Sequence, residues 1–148
     1  MPVLAQADKP LVAVMDFSLS GISEAEGRVF LDFLSNSIRE TGKYRLIEKA
    51  ERDSLLEEIK FSLSGCADEK CQLEAGRLLS ANFMFLGSIG NVGDRYILNI
   101  KLVDVLSGEA LATASDVYGS LNNMVDNSRK LVFEMLGKGL GPVVSEIP

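Results

Sequence analysis

The chain has 148 residues, of which 47% are hydrophobic and 24% are charged, values typical of one globular domain with a single core. Its formal net charge of −6 opposes binding to nucleic-acid phosphates and to anionic lipid surfaces. Histidine is absent, which removes the commonest general base and the commonest metal ligand of proteins. The composition therefore disfavours a nucleic-acid-binding protein and many classes of enzyme.

The first residues have one feature of an export signal. Residues 5–7, Ala-Gln-Ala, show the small-x-small pattern of a signal-peptidase site. Residues 1–4 are too few for the apolar segment of a signal peptide, so an Ala-rich start without a targeting role is the alternative. We expect residues 1–10 to be an export-signal remnant or a disordered start. No apolar run approaches the ~20 residues that span a bilayer, and no transmembrane segment is predicted.

The first half of the chain predicts strands that alternate with helices. A short apolar run is typical of a buried strand, and a loop follows it, at residues 11–17 and 18–21. Ser23 and Glu26 have the spacing of a capping box at the start of a helix, and Gly42 lies where that helix should end.

Three further elements are predicted before the middle of the chain. They are a strand over residues 44–48, a helix over residues 50–63, and a short third helix that Asp68 can cap. In the helix over residues 50–63, three apolar side chains are expected to face inward: Leu55, Leu56 and Ile59.

An antiparallel sheet is predicted over residues 82–118, as three strands joined by two hairpins. Apolar and polar residues alternate over residues 95–102, the pattern of a strand with one buried face. Residues 91–94 and 107–108 supply the turns, because Gly and Asn tolerate the positive φ that tight hairpins require.

The last predicted element is a helix that starts at Asn122 or Asn123 and ends at Gly137. The element order is then β-α-β-α-α-β-β-β-α. This order indicates an α/β fold bordering on α+β, with a mixed sheet, two hairpins in its C-terminal half, and helices flanking it in three layers. We predict a single domain over residues 11–137 and a flexible tail over residues 138–148.

Cys66 and Cys71 are the only cysteines, and they lie at the junction of two predicted helices. In an oxidising compartment they can form a disulfide, provided that the junction brings their Cα atoms close together. Two inert thiols are the alternative. A redox or metal-binding role is a third possibility, because Cys71 falls in the first turn of a helix, where the helix dipole favours the thiolate.

The glycine series Gly87, Gly90 and Gly93 does not indicate a nucleotide site. A dinucleotide fingerprint needs a helix directly after its glycines, whereas a strand follows here. No cofactor is predicted.

Asp16 is the best single candidate for carboxylate chemistry, because ligands of α/β folds gather at the carboxyl ends of strands. A solvated loop carboxylate or a helix cap is the competing interpretation. Glu51, Glu57 and Glu58 lie beside Arg52 and Lys60 on a helix, where the pattern favours a solvated face.

Several segments together resemble a superfamily of small bacterial envelope domains. The segments that carry the resemblance are residues 12–17, 44–48, 54–59, 75–89, 102–105 and 107–109. The superfamily comprises curli-secretion-type lipoproteins, lipoprotein activators of penicillin-binding proteins, and the amino-terminal domain of TolB. The similarity extends over residues 11–136, nearly the whole chain.

This resemblance implies a non-enzymatic periplasmic or outer-membrane-associated domain that docks onto a larger envelope protein. It also favours the export signal at residues 5–7 and the disulfide between Cys66 and Cys71. Secretion-channel members carry long hairpin insertions, which this chain lacks, so a pore is not expected. Lipoprotein members carry a lipidated amino-terminal cysteine, which residues 1–10 do not contain.

The leading hypothesis is therefore an envelope interaction domain whose partner is a penicillin-binding protein or a secretion component. One alternative is a subunit of a homo-oligomeric envelope or secretion assembly. Another is a small carboxylate-dependent α/β enzyme that uses Asp16.

Overall fold

The computed structural model describes residues 9–63, 66 and 68–140. This part of the chain forms six strands and four helices. The strands are β1 (Leu11–Val14), β2 (Ser18–Ser20), β3 (Arg45–Ile47), β4 (Phe83–Val92), β5 (Arg95–Asp104) and β6 (Ala110–Tyr118). The helices are α1 (Glu24–Glu40), α2 (Lys49–Glu58), α3 (Glu69–Leu78) and α4 (Leu121–Leu140). The predicted order is confirmed, and β2 is a three-residue addition where a loop was expected.

All six strands belong to one mixed sheet, in the order β3-β1-β4-β5-β6. Strand β1 is parallel to both β3 and β4. Strand β2 pairs with the later part of β4, so β1 and β2 share one side of that long strand. The two predicted hairpins join β4, β5 and β6 in antiparallel register, from Phe83 opposite Asp104 to Val92 opposite Arg95 in the first of them.

Helices cover both faces of the sheet, so the predicted three layers are present. On one face, α1 and α4 bury the side chains of alternate strand residues such as Leu98, Ile100 and Leu102. On the other face, α2 and α3 pack against a second cluster, which includes Ala13, Met84 and Val103. The period-2 alternation of the strands divides the apolar side chains between two cores.

The predicted capping box begins α1. The Ser23 hydroxyl accepts the Glu26 backbone N–H at 3.1 Å, and the Glu26 carboxylate accepts the Ser23 N–H at 3.0 Å. Gly42 follows the helix with φ of +68°, which only glycine adopts without a Cβ penalty. Both ends of α1 are therefore encoded within a few residues.

Helix α2 is shorter than predicted, since it ends at Glu58 and not at residue 63. Lys60 adopts φ of 60°, and the N–H groups of Lys60 and Phe61 donate to the carbonyls of Glu57 and Leu56. This pattern is a Schellman motif with a lysine at the position that glycine usually takes. The helix therefore stops without a glycine signal.

The residues of α2 that face the core also differ from the prediction. Leu56 is buried, as predicted. Leu55 and Ile59 are 41% and 51% exposed, so their predicted inward orientation is wrong. Arg52 occupies the inward stripe instead, one turn before Leu56.

Helix α4 begins at Leu121, where the Ser120 hydroxyl accepts the N–H of Asn123. It continues past Gly137 to Leu140, so Gly137 does not end it as predicted. Residues 1–8 and 141–148 lie outside the described residues, and the expectations for the two ends of the chain stay predictions. None of the helices in the described part is long and apolar enough to cross a membrane.

Candidate interaction surface

The two faces of the sheet differ in how much of them the helices cover. Helices α1 and α4 have 17 and 20 residues, whereas α2 and α3 have 10 each. Ten residues of helix span about 15 Å. The ten-residue strands β4 and β5 span about 33 Å, so α2 and α3 leave half of their face uncovered.

The uncovered half is an ordered surface, which we call the open sheet face. It consists of Ser88, Gly90, Ile97, Asn99, Lys101, Thr113, Ser115 and Val117, all exposed or partly exposed. The strand register places Gly90, Ile97 and Val117 in one row across three strands. Ser88, Asn99 and Ser115 form the next row. An apolar row and a polar row thus run side by side.

Hydrogen bonds connect the polar row. The Ser115 hydroxyl donates to Asn99 Oδ1 at 2.6 Å, and Asn99 Nδ2 donates to Ser88 Oγ at 3.3 Å. Lys101 Nζ lies 2.7 Å from the Glu69 carboxylate of α3, at the border of the open sheet face. These contacts are solvent-exposed and add little stability, but they hold the side chains in one arrangement.

The border with α3 is formed by its first turn, which carries Glu69 and Gln72. Asp68 caps this turn, since its carboxylate accepts the Cys71 N–H at 2.8 Å. The structure joins Cys71 to Cys66 in a disulfide with a Cα–Cα distance of 5.5 Å. The bond ties the start of α3 to the chain that precedes it. Its formation in the native compartment stays a prediction.

The glycine series serves packing and a turn. Gly93 has φ of +62° in the turn between β4 and β5. A Cβ at Gly87 would lie 2.2 Å from the Asn99 carbonyl oxygen and 2.6 Å from the Phe17 ring. Gly87 therefore lets Phe17 pack against β4, as a core position requires.

Asp16 follows β1 by two residues, beyond the carboxyl end of that strand as predicted, and belongs to an ion-pair cluster. Arg52 Nη2 lies 3.1 Å from Asp16 Oδ1, and Lys49 Nζ lies 3.3 Å from the same carboxylate. Asp53 completes the cluster, with contacts to both cations. Asp16 therefore has fixed partners and is not a freely solvated loop carboxylate.

Arg52 is the residue of this cluster that sequence reasoning placed wrongly. Its side chain is 1% exposed, and its Nη1 donates to the Val14 carbonyl at 2.9 Å. A position on a solvated face was expected. The missed signal is its spacing, because Arg52 lies four residues before the buried Leu56 on the same stripe of α2.

The charges around Asp16 determine its protonation. Partial burial alone would raise its pKa, but the charge and hydrogen bond of Arg52, followed by those of Lys49, outweigh burial and lower the pKa below its ordinary value. A general acid at neutral pH needs a raised pKa. Asp16 does not meet this requirement, and its contacts with Arg52 and Lys49 connect the end of β1 to α2.

A cavity of ≈ 280 Å³ lies between α1 and the Asp16 cluster. Its floor is apolar, with Val14, Leu19 and Ile47, and charged residues such as Arg28 and Asp32 line its rim. Small-molecule sites are usually ≈ 300–1,000 Å³, so this cavity is at or below that range. Among the described residues, no group of three or more Cys, Asp or Glu side chains could hold a metal ion.

The family of the chain follows from its sequence. A family model described as the curli production assembly/transport component CsgG matches residues 7–96. The chain belongs to the CsgG family. None of the curated protein sequences matches it. The resemblance to the envelope α/β superfamily is confirmed by this family and by the structural neighbours of the chain.

Solved structures with the fold of this CsgG-family chain have low sequence identity to it. The C-terminal domain of LpoB from Salmonella enterica has a TM-score of 0.61 at 16% identity, covering 80% of this chain and 92% of that domain. TolB from Acinetobacter baumannii has a TM-score of 0.58 at 13% identity, over 90% of this chain and 28% of TolB. A PelC dodecamer from Paraburkholderia phytofirmans has a TM-score of 0.57 at 14% identity, over 88% of this chain and 89% of the PelC chain. These similarities show a shared fold.

Proposed function

We propose that this chain is a non-enzymatic interaction domain of the bacterial cell envelope. In this role it is periplasmic or associated with the outer membrane, and it regulates or assembles a larger machine by direct contact. Membership of a family described by curli assembly and transport supports the envelope setting. The fold shared with LpoB and TolB agrees with it.

The observation that carries the proposal is the open sheet face. Isolated domains normally cover the apolar side chains of a sheet with helices. Here Val117 is 49% exposed, and Ile97 and Gly90 continue the same apolar row beside it. The adjacent polar row of Ser88, Asn99 and Ser115 offers hydroxyl and amide groups in a fixed arrangement. An apolar patch with a polar border is the usual composition of a protein–protein contact.

The partner that we propose first is a penicillin-binding protein, because the sequence resembles activators of that class. A component of a secretion machine is the second candidate. The carboxylate-enzyme hypothesis ranks below both, since Asp16 is held ionised by Arg52 and Lys49. A homo-oligomeric assembly is the other alternative, and the fold shared with a PelC dodecamer is consistent with it.

The test is a crosslinked pull-down of the tagged protein from detergent-solubilised envelope, with identification by mass spectrometry. The variant Asn99→Arg places a long cation in the centre of the open sheet face. Its matched control is Asn122→Arg, the same substitution at an exposed position of α4 on the opposite side of the sheet. We expect wild type and Asn122→Arg to recover the same envelope protein, and Asn99→Arg to lose it.

Recovery of that partner by all three proteins would exclude the open sheet face as the contact. Recovery of no envelope protein by wild type would contradict the proposed function as a whole. A penicillin-binding protein among the lost hits would identify the machine that is regulated.

A further inference from the structure

Strand β6 forms one edge of the sheet, and its outer side is unpaired within the described residues. It is nine residues long, whereas β3 at the opposite edge has three. Native proteins commonly protect long edges with several charges or a proline. Within Ala110–Tyr118 the single charged residue is Asp116, and proline is absent. The edge is thus long and lightly protected.

The backbone groups that face outward can be identified from one contact. The Val117 N–H donates to the Asp116 carboxylate at 3.0 Å, so it lies outside the ladder with β5. In an antiparallel pair, hydrogen-bonded residues alternate with residues whose backbone groups point away. Thr113 and Ser115 share the parity of Val117 along the regular part of β6. Their N–H and C=O groups therefore also point outward.

We infer that β6 pairs with β6 of a second copy of this chain, antiparallel about a two-fold axis through Ser115. Ser115 then faces its own counterpart, and Thr113 faces Val117 of the second copy. All of these residues offer outward groups, so the pairing forms about six backbone hydrogen bonds, two for each directly opposed pair. The contact is isologous, as in most dimers.

The side chains are self-complementary in this register, and this is the reason to choose a second copy as the occupant. Ala112 is opposite Tyr118, so a small residue meets a large one on each side of the axis. Asp116 is opposite Ala114, so no charge directly faces a like charge. The pairing also joins two open sheet faces into one continuous surface. It depends only on the edge and is independent of the partner proposed above.

Asp116 weakens this pairing in two ways. It already binds the Val117 N–H that the second copy needs. The two Asp116 carboxylates would also lie diagonally across the seam, where residues are about 7–8 Å apart. We therefore expect Asp116→Ala to tighten the dimer, and added salt to tighten the wild-type dimer by screening the repulsion.

The test introduces a positive or a negative charge at Ser115, which is exposed on the open sheet face. Ser115→Lys and Ser115→Asp each place like charges directly opposite one another across the axis. Each variant alone should dimerise at least about fivefold more weakly than wild type. An equimolar mixture places Lys opposite Asp and should restore the dimer. The measurement is sedimentation velocity over a concentration series, with circular dichroism to verify folding.

Ser54→Lys and Ser54→Asp are the matched controls, because Ser54 is exposed on α2, far from the edge. They should leave the wild-type association unchanged. A chain that stays monomeric both with and without Asp116 overturns the inference. Dimers that persist equally in both Ser115 variants, or a mixture that fails to recover association, also overturn it. Binding of a foreign envelope strand to β6, without self-association, would assign the edge to a different partner.

Discussion

Arg52 connects the end of β1 to α2 through three acceptors. Its guanidinium donates to the Val14 carbonyl and to the carboxylates of Asp16 and Asp53. A buried guanidinium is tolerated only when its donors are satisfied, and these three contacts provide that. The residue thus acts as an internal tie between a strand and a helix.

We expect Arg52→Met to lower the free energy of unfolding by about 2 kcal/mol or more, since it leaves the Val14 carbonyl without this donor and leaves Asp16 and Asp53 with Lys49 but without Arg52. The matched control is Arg28→Met, because Arg28 is exposed on α1. Its effect should stay within about 0.5 kcal/mol. Urea unfolding of both variants measures the difference. Equal effects would show that the Arg52 contacts contribute little.

Asp16 makes the stability of the same cluster depend on pH. Its pKa is lower in the folded protein than the ordinary 3.8, so the ionised form stabilises the fold above that value. This contribution is lost as the pH falls through the lowered pKa. Because Asp16 is half-exposed, Asp16→Asn should cost no more than about 1 kcal/mol at pH 7.

The corresponding measurement is urea unfolding of wild type and Asp16→Asn from neutral pH to below pH 3.8. The difference between the two proteins should shrink at the acid end, where wild-type Asp16 becomes protonated. A difference that stays constant over this range would show that ionisation of Asp16 is not the source.

At the scale of elements, the C-terminal ends of α2 and α3 have the same backbone conformation. Lys60 and Ser80 both have φ of 60°, and the N–H of the next residue returns to a carbonyl of the last turn in each case. The left-handed conformation costs a non-glycine residue roughly 1–2 kcal/mol. Both short helices therefore end in a local capping turn that has no glycine at its left-handed position.

Substitution of lysine by glycine should consequently change the free energy of unfolding in opposite directions at two positions. Lys60→Gly relieves the left-handed strain and should raise the free energy of unfolding by about 0.5 kcal/mol, after the entropy cost of glycine. Lys130→Gly, at an exposed interior position of α4, should lower it by about 1 kcal/mol. Thermal and urea unfolding measure both. A loss of stability at Lys60 would mean that its side chain makes a contact worth more than the strain.

At the scale of the whole molecule, two cores share one sheet but receive unequal cover. The longer helices α1 and α4 lie on one face, and the shorter α2 and α3 lie on the other. The open sheet face results from this difference in length, whereas the edge of β6 results from its place at the end of the strand order. The surface that we propose for the partner thus depends on where α2 and α3 end.

The redox state of Cys66 and Cys71 indicates whether the protein resides in an oxidising compartment. We expect protein isolated from its native cells to show no free thiol after alkylation without reductant, and two labelled thiols after reduction. Replacing both Cys66 and Cys71 by Ser should lower stability by roughly 2 kcal/mol on the loop-entropy model. Free thiols in the isolated protein would argue against an oxidising location. An unchanged stability of the variant with both cysteines replaced would show that the bond does not stabilise the fold.

Features that depend on neighbouring residues were predictable from the sequence. The capping box of Ser23 and Glu26, the Asp68 cap and the hairpin turn at Gly93 each require interactions over a few positions. The period-2 alternation over residues 95–102 likewise assigned β5 and its two faces. Such patterns are local, so the sequence by itself determined the fold class and the order of the elements other than β2.

Other features were decided only by the tertiary structure. Strand β2 exists because β4 extends beyond β1 and offers it a partner, which residues 18–20 do not encode. The burial of Arg52 depends on acceptors at Val14 and Asp16, 38 and 36 residues away in the chain. Whether a strand face is covered depends on where distant helices end. The open sheet face is therefore visible only in the folded molecule, although Asn99 and Lys101 were already readable as the polar side of β5.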